Sequence, residues 1–261
     1  MLSGNIKEET SVSKNLKVIL TGSHEESCSA AAGYVAETLK KKEDACLGLA
    51  TGGSMLGVYT ELRRLCDSGG LSFRSASTAN LDEYVGLAPS HVQSYRHYMD
   101  ENLFDHVDID KSKTCLPQGT LPEAAMLGEF QNFLDSNPRD IQLLGLGSNG
   151  HIGFNEPAPF FTPRAHVVTL DNRTREDNRR FFPSLDEVPV QAVTMGIGDI
   201  LDASRIVLIA YGASKAEALK ALLEDDRVRP EVPCTALKLH RDVIVIAERA
   251  LAEAAGVCPA L

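Results

Sequence analysis

The sequence predicts an α/β protein with an open, doubly wound and mostly parallel sheet, Rossmann-like, with helices on both faces. Short apolar runs of strand length recur along the chain, and segments with helical spacing of apolar residues separate them. Strands covered on both faces form nearly continuous apolar runs, so their alternation with helices indicates a parallel sheet. No repeat, low-complexity tract or long linker interrupts the pattern. We therefore expect residues 1–261 to form a single domain.

The predicted elements alternate along the chain. The helix 25–41 illustrates the reasoning, because Ala31, Val35, Ala36 and Leu39 recur at near-helical spacing. Strands are predicted at 16–20, 46–50, 75–81, 140–145, 166–170, 205–210 and 242–247. The other helices are predicted at about 54–66, 92–104, 122–135, 173–182 and 214–224.

Composition excludes several classes of protein. The net charge of −10, from 36 acidic and 26 basic residues, argues against a nucleic-acid surface, and no basic run suggests a membrane patch. The polar N-terminus has no apolar core of a signal peptide, and no apolar run approaches the ~18 residues of a membrane span. The six cysteines form no Cys-x-x-Cys pair and show no zinc spacing with histidine. These features predict a cytoplasmic protein without a metal site.

The segment 145–157 is the strongest candidate for a site. It follows an apolar strand and has four glycines in its first nine residues, which permit tight turns. Among them lies His151, and histidine is the residue type whose unperturbed pKa lies nearest neutrality. Glu156 follows five residues later. Open α/β sheets place active sites in such loops, at the carboxyl ends of strands. The alternative is a glycine-rich turn with a solvated histidine and glutamate.

Two further segments could bind an anion. Thr51, Gly52, Gly53 and Ser54 join a predicted strand to a helix, whose free N–H groups and dipole attract negative charge. The segment lacks the lysine and glycine spacing of nucleotide-binding loops. The segment 214–217 has the capping-box pattern, which predicts Ser214 as the N-cap and Lys215 in the first turn. A cation costs about 0.3–1 kcal/mol there, so a bound anion would explain it, although an exposed lysine is also possible.

Acidic and basic side chains supply the remaining candidates. Successive side chains on a strand point to opposite faces, so only one of Asp82 and Glu83 can easily face a cleft. Taken alone, this pair is better interpreted as two solvated loop acids.

The helix 173–182 is rich in arginine, a residue well suited to bidentate phosphate binding. Its four arginines are Arg173, Arg175, Arg179 and Arg180. We expect one of them to reach a ligand and the others to be solvated or paired with Glu176 and Asp177.

Four segments together resemble glucosamine-6-phosphate deaminases. They are 81–87, beginning Leu-Asp-Glu-Tyr; 145–157, ending His-Ile-Gly-Phe-Asn-Glu-Pro; 179–182, Arg-Arg-Phe-Phe; and 212–215, ending Ser-Lys. The resemblance extends from about residue 16 to about residue 247, and its central motif is very specific. The 6-phosphogluconolactonases are similar in fold and in a Gly-His loop, but not in the Phe-Asn-Glu-Pro continuation.

The resemblance implies the conversion of glucosamine 6-phosphate and water into fructose 6-phosphate and ammonia, by a hydrolase acting on a C–N bond. It implies that His151 opens the sugar ring, that Glu156 tunes His151, and that Asp82 takes the C2 proton. The loop from Thr51 to Ser54, with Arg180 and Lys215, would hold the phosphate. No metal or organic cofactor is implied.

The chain departs from part of the family pattern. Asn149 stands where many members have aspartate; it can orient the imidazole but cannot ionise. A subgroup of the family carries asparagine here, so we expect an active enzyme. Allosteric members bind an effector phosphate at positions that hold Pro159, His166 and Val168 in this chain. We therefore expect an unregulated monomer or small homo-oligomer.

The segment 158–190 is predicted to be a lid. It begins with prolines and phenylalanines, which suit an irregular exposed connection, and it continues into the arginine-rich helix. The family resemblance implies that such a segment closes over the sugar. The alternative is a static excursion packed on the sheet.

Other functions stay open on the same scaffold. One is a galactosamine-6-phosphate deaminase or a 6-phosphogluconolactonase, and the lactonase would need no base at C2. Another is a sugar-phosphate-sensing domain of a transcriptional regulator. That would need a helix-turn-helix segment, for which the roughly 15 residues before the first strand leave no room.

Overall fold

The computed structural model describes residues 9–13 and 15–257 of the chain. The strands are β1 (Glu9–Ser13), β2 (Leu16–Thr21), β3 (Cys46–Leu49), β4 (Ser77–Asn80), β5 (Asp82–Tyr84), β6 (Thr114–Cys115), β7 (Ile141–Gly145), β8 (His166–Thr169), β9 (Gln191–Thr194), β10 (Ile206–Ala210) and β11 (Val243–Glu248). The α-helices are α1 (His24–Lys41), α2 (Leu56–Asp67), α3 (Tyr95–Asn102), α4 (Glu123–Ser136), α5 (Asn172–Asn178), α6 (Ile197–Leu201), α7 (Ala216–Leu223) and α8 (Arg249–Ala254).

The large sheet has the strand order β1-β2-β11-β10-β7-β3-β4-β6. β1 pairs antiparallel with β2, and the other neighbouring strands pair in parallel. All five residues of β10 are buried at the centre of the sheet, as are the first four of β7. The apolar runs from which we predicted these strands are therefore the core, and the α/β fold class is confirmed.

Helix α1 shows how local sequence and packing agree. Ser23 is its N-cap and accepts a hydrogen bond from the backbone N–H of Glu26, and the Glu26 carboxylate accepts the N–H of Gly22. Its buried residues include Ala31, Val35 and Leu39, which face β10 and β11. Burying a side chain such as Val35 or Leu39 stabilises the fold by about 1.5–3 kcal/mol.

A second, antiparallel sheet of three strands, β5-β9-β8, stands beside the large one. The predicted strand 75–81 is therefore corrected: β4 ends at Asn80, and the chain passes into the second sheet at Leu81. The N–H of Leu81 donates to the carbonyl of Leu49 in the large sheet, and its carbonyl accepts the N–H of Met195 beside β9. Apolar spacing predicts an extended chain but not the partner with which it pairs, so the change of sheet was missed.

The predicted capping box at 214–217 is wrong. Residues 213–215 form a 3₁₀ turn that follows Gly212, whose φ of 82° favours glycine. Ser214 lies inside this turn, and Lys215 becomes the residue before α7. The arginine-rich helix is also shorter than predicted, because α5 ends at Asn178 and a 3₁₀ turn follows. Among the described residues, no helix combines the length and the apolar character needed to cross a membrane.

Candidate active site

A cleft lies at the carboxyl ends of β3, β7 and β10, where the start of β5 also reaches it. The loops that leave these strands carry the polar side chains, as expected for an open α/β sheet. Eight of the ten predicted site residues line the cleft: Thr51, Gly52, Gly53, Ser54, Asp82, His151, Arg180 and Lys215. The other two, Asn149 and Glu156, lie behind His151 and hold it.

A chain of hydrogen bonds fixes the imidazole of His151. Its Nδ1 lies 2.7 Å from Oδ1 of Asn149, whose Nδ2 donates to Oε2 of Glu156 at 2.8 Å. The Glu156 carboxylate only accepts hydrogen bonds when it is ionised, so the amide nitrogen of Asn149 faces it and the amide oxygen faces the imidazole. His151 therefore donates from Nδ1, which leaves Nε2 as the proton-accepting atom of the neutral ring.

Glu156 stays ionised behind this relay. Burial by itself raises the pKa of the carboxyl group, but the interaction with His151 and the hydrogen bond from Asn149 outweigh it, and the pKa lies below its ordinary value. The Nδ1 atom of His151 is 3.6 Å from Oε2 of Glu156. The charge of Glu156 therefore lies directly behind the imidazole, and Asn149 joins the two side chains.

Gly147 makes room for the imidazole. A Cβ atom at this position would lie 2.5 Å from the ring atoms of His151, far inside van der Waals contact. The N–H of Gly147 also donates to the carbonyl of His151 at 2.9 Å, which closes the loop on itself. The glycines of the segment 145–157 thus allow the close approach that the sequence predicted for them.

Asp82 and Glu83 point in opposite directions, as neighbours on a strand must. Asp82 faces the cleft, whereas Glu83 lines a separate cavity beside Arg96 and Thr114. Both side chains are buried, so the interpretation of the pair as solvated loop acids is wrong. The reason is that β5 pairs with β9 and is enclosed by the second sheet, which the local sequence does not show.

Burial changes the acidity of both carboxyl groups. It raises the pKa of Asp82 well above its usual range, and the neighbouring charge of Glu83 raises it further. Burial also raises the pKa of Glu83 to about 7, although the N–H groups of Tyr95, Arg96 and Tyr84 hydrogen-bond to it and oppose the rise. A carboxylate that binds protons more tightly than usual is a stronger base, and such groups are characteristic of catalytic sites.

The loop from Thr51 to Ser54 forms one wall of the cleft before α2. Gly52 has a φ of 93°, and its carbonyl accepts hydrogen bonds from the N–H of Met55 at 3.1 Å and from the hydroxyl of Tyr98 at 2.8 Å. The loop is therefore held rigidly at the start of a helix, where unpaired N–H groups attract anions.

Two cations extend this anion-binding wall. A Cβ atom on Gly53 would lie 3.8 Å from Nη2 of Arg180, so the guanidinium is beside the loop. Lys215 is half-buried, and burial lowers its pKa; Arg180 and Arg173 lower it further, whereas Asp177 opposes the shift. Gathering like charges costs free energy that a bound anion would recover, so the cleft favours a phosphate at this end.

Two other arginines of the predicted helix have structural partners. Arg175 donates to the carbonyls of Leu185 and Val188, and Arg179 lies 4.0 Å from the carboxylate of Glu176. Only Arg180 of these four lines the cleft among the described residues. Among these four, Arg180 is therefore the one placed where a ligand in the cleft could be reached.

Sequence reasoning missed several residues of the cleft. Thr174, Asp177 and Asn178 come from α5 and its C-terminus, and Tyr95 begins α3. Asp177 was expected only as an ion-pair partner for arginine. The spacing of 174, 177 and 178 on one helical face could have indicated a shared direction, but no local signal shows what that face contacts. Within residues 9–13 and 15–257, no cluster of three or more His, Cys, Asp or Glu side chains is placed to hold a metal ion.

Comparison with known proteins gives consistent results. Residues 22–246 match a family model described as glucosamine-6-phosphate isomerases/6-phosphogluconolactonase. A glucosamine-6-phosphate deaminase of Bacillus velezensis is 49% identical over 88% of this chain and 96% of its own length. Glucosamine-6-phosphate deaminase 1 of Bacillus subtilis is 46% identical over 94% of this chain and 100% of its own.

Solved structures agree with these relatives. A monomeric glucosamine-6-phosphate deaminase superposes with a TM-score of 0.87 and 45% identity, over 94% of this chain and all of that one. The 6-phosphogluconolactonase of Trypanosoma brucei superposes with a TM-score of 0.71 but only 18% identity, over 92% of this chain and 99% of that one. The second likeness shows the shared fold alone.

These comparisons correct one expectation. The assignment of the chain to the hydrolases is wrong, because the matching family is described as isomerases and the relatives at 46–49% identity are named deaminases. An acid–base site built from a carboxylate and an imidazole is suited to the proton transfers of an isomerisation.

Proposed function

Because the chain belongs to the family of glucosamine-6-phosphate isomerases and 6-phosphogluconolactonases, we propose that it is a glucosamine-6-phosphate deaminase of amino-sugar catabolism. It converts glucosamine 6-phosphate and water into fructose 6-phosphate and ammonia, and so serves N-acetylglucosamine utilisation. The proposal rests on one observation. The buried carboxylate of Asp82, the hydrogen-bonded imidazole of His151 and the positively charged, anion-binding wall with Lys215 line the same cleft.

His151 opens the sugar ring. Nδ1 is committed to Asn149, so Nε2 takes the proton of the anomeric hydroxyl and returns it to the ring oxygen. The transient imidazolium is stabilised by the buried charge of Glu156, which Asn149 joins to the ring. Asn149 needs no proton of its own for this role, because it donates and accepts at different atoms.

Asp82 then moves a proton between adjacent carbons. Its ionised carboxylate takes the C2 proton of the open-chain aminoaldehyde, and the aldehyde oxygen takes up a proton from the substrate's own ammonium group, which gives an enolamine with a hydroxyl group at C1. Asp82 then delivers the C2 proton to C1. The imine formed at C2 takes up water and releases ammonia, which leaves the ketone of fructose 6-phosphate. The raised pKa of Asp82 makes its carboxylate a stronger base than a solvated aspartate.

The phosphate end anchors the substrate away from the reacting carbons. The loop from Thr51 to Ser54 supplies backbone N–H groups, and Arg180 and Lys215 supply positive charge. Anchoring C6 in this way orients C1 and C2 toward His151 and Asp82, and such orientation is a large part of enzymatic rate enhancement.

Two alternatives differ in substrate. A deaminase of galactosamine 6-phosphate would use the same side chains on the C4 epimer. A 6-phosphogluconolactonase would need no base at C2, so the buried and activated Asp82 favours the deaminase. The identities of 46–49% to named deaminases favour it as well.

The proposed enzyme works on a small sugar phosphate as a monomer or small homo-oligomer in the cytoplasm. A structural relative described as monomeric supports the small assembly. Six cysteines without a paired spacing support a reducing compartment.

The deciding experiment is an ammonia-release assay on purified protein with glucosamine 6-phosphate and galactosamine 6-phosphate, alongside hydrolysis of 6-phosphogluconolactone. We expect ammonia from the first substrate at the highest kcat/KM. The Asp82→Asn variant separates the chemistries, because it should stop ammonia release but would leave a lactonase largely active. Lactone hydrolysis without ammonia release would contradict the proposal.

A further inference from the structure

Helix α5 reaches the catalytic loop 145–157 through two side chains. Ser148 Oγ donates a hydrogen bond to Oδ2 of Asp177 at 3.0 Å, and Oγ1 of Thr174 lies 3.5 Å from Nδ1 of His151. Thr174 and Asp177 are three residues apart and so lie on one face of the helix. The face that α5 turns toward the loop is therefore polar.

Little else in α5 is buried. The helix has seven residues, and Thr174 is the one of them that is buried. Its side chain is only 3% exposed, whereas most of its neighbours face solvent. A helix this short is not stable by itself, so its position depends on its contacts. Asp177 is itself exposed, so the contacts that join α5 to the catalytic loop are its hydrogen bond from Ser148 and those of Thr174 with His151 and Glu156.

The charge of Asp177 makes its position in the cleft notable. It lines the same cleft as Arg180 and Lys215, and its charge opposes the lowering of the Lys215 pKa. A carboxylate near a phosphate site repels the substrate, so electrostatics alone disfavours an acid here. Phosphate binding does not explain why residue 177 is an aspartate. The hydrogen bond that Asp177 accepts from Ser148 does explain it.

We propose that Asp177 is a positioning residue: its hydrogen bond from Ser148 seats α5 on the catalytic loop before substrate arrives. Seating the helix places Thr174 against His151 and delivers Arg180 to its position beside Gly53. The catalytic part of this inference rests on the proposed deaminase function, whereas the seating of α5 does not. Asp177 thus acts through the position of Arg180, the cation assigned to the phosphate under the proposed function.

The structure permits a test in which loss of charge and loss of the hydrogen bond have opposite effects. Asp177→Ala and Ser148→Ala each remove the hydrogen bond, and we expect KM for glucosamine 6-phosphate to rise about tenfold with kcat within about twofold. Asp177→Asn keeps an oxygen that can accept from Ser148 but removes the repulsion, so its KM should equal or fall below that of the wild type. The double variant Ser148→Ala/Asp177→Ala should be no worse than either single variant.

Glu176→Ala is the matched control, because it removes an acid from the neighbouring position on α5, where the side chain is exposed. It should leave KM within about twofold. A rise in KM for Asp177→Asn equal to that of Asp177→Ala, or strictly additive effects in the double variant, would overturn the role of the hydrogen bond.

Hydrogen exchange of the substrate-free protein tests the seating without any assay of activity. Amides of residues 172–181 should exchange faster in Ser148→Ala and Asp177→Ala than in the wild type or in Glu176→Ala. Unchanged exchange in both variants would show that α5 is held by other contacts. Because this measurement needs no substrate, it judges the inference even if the wild type released no ammonia.

Discussion

Oε1 of Glu83 accepts a hydrogen bond from the backbone N–H of Tyr95 at 2.9 Å. Glu83 thereby anchors α3, whose first residue, Tyr95, lines the same cleft as Asp82. Oε2 of Glu83 accepts the N–H of Arg96 at 3.0 Å, and Ser94 caps the helix by accepting from His97. The adjacent acids therefore have different tasks. Asp82 faces the substrate cleft, and Glu83 satisfies N–H groups at the start of α3 that have no partner within the helix.

Ionisation of Glu83 should make stability depend on pH. Its folded pKa of about 7 lies above its ordinary value of 4.5, so the folded protein binds the proton more tightly than the unfolded chain does. The stabilisation is complete at acid pH and is lost as the pH rises toward about 7, by about 3 kcal/mol in total. Denaturant unfolding of the wild type and Glu83→Gln should show the wild type losing stability relative to the variant between pH 5 and pH 8. A constant difference would mean that the three N–H groups offset the burial completely.

Substitution of Asp82 should remove the proton transfer and leave binding intact. Asp82→Asn has nearly the same shape but cannot accept the C2 proton, so turnover should fall by about 10²–10⁴-fold or more. Exchange of the C2 proton with solvent deuterium should disappear, while a competitive substrate analogue still binds. In the wild type, kcat/KM should fall with acidity at a pH above the usual aspartate range, because burial raises this pKa. Exchange at the wild-type rate in the variant would remove Asp82 from the role of base.

Substitution of His151 should act mainly on ring opening. In His151→Gln, the amide cannot take up a proton, so turnover of the cyclic substrate should fall by about 10²-fold or more. An open-chain analogue bypasses that step and should lose much less. Equal losses for the two substrates would show that His151 serves a later step.

The initial rate should depend hyperbolically on substrate concentration, and N-acetylglucosamine 6-phosphate should not change that dependence. The expectation rests on Pro159, His166 and Val168, which cannot supply the phosphate contacts of allosteric relatives. His166 and Val168 lie in β8, and Nδ1 of His166 lies 3.0 Å from the carbonyl oxygen of Arg164. Initial rates over a range of substrate concentrations, with and without that compound, provide the measurement. A sigmoidal curve that it renders hyperbolic would contradict the prediction.

Binding of substrate should protect the segment 158–190. Phe160 is 67% exposed and Phe181 is 41% exposed, so both have apolar surface that a closed lid could place over a sugar. Amide exchange measured with and without a substrate analogue should slow in this segment and stay unchanged in β10. Equal protection in both states would instead mean that the segment is not a lid that closes when substrate binds.

The sequence was most informative where the residues of the site lie close together along the chain. The strand β7 and the loop after it could be predicted because an apolar run leads directly into glycines, His151 and Glu156. The loop from Thr51 to Ser54 was found for the same reason. The longer of these two signals extends only from Ile141 to Glu156.

The parts that were missed depend on partners distant in the sequence. Asp82 and Glu83 looked like solvated acids because nothing near them shows that β9 will cover them. Thr174 and Asp177 face the catalytic loop only because α5 folds back over it. The capping box at Ser214 failed for a local reason, since the positive φ of Gly212 begins a tighter turn than the pattern implies.

The second sheet has a consequence for how the site is assembled during synthesis. Asp82 pairs with Thr194 in β9, and Tyr84 pairs with Ala192. A nascent chain that has emerged only as far as α5 already contains Asp82, His151 and Glu156, but it has no strand to enclose β5. The burial of Asp82, and the rise in its pKa that burial causes, therefore depend on two distant stretches of chain having met.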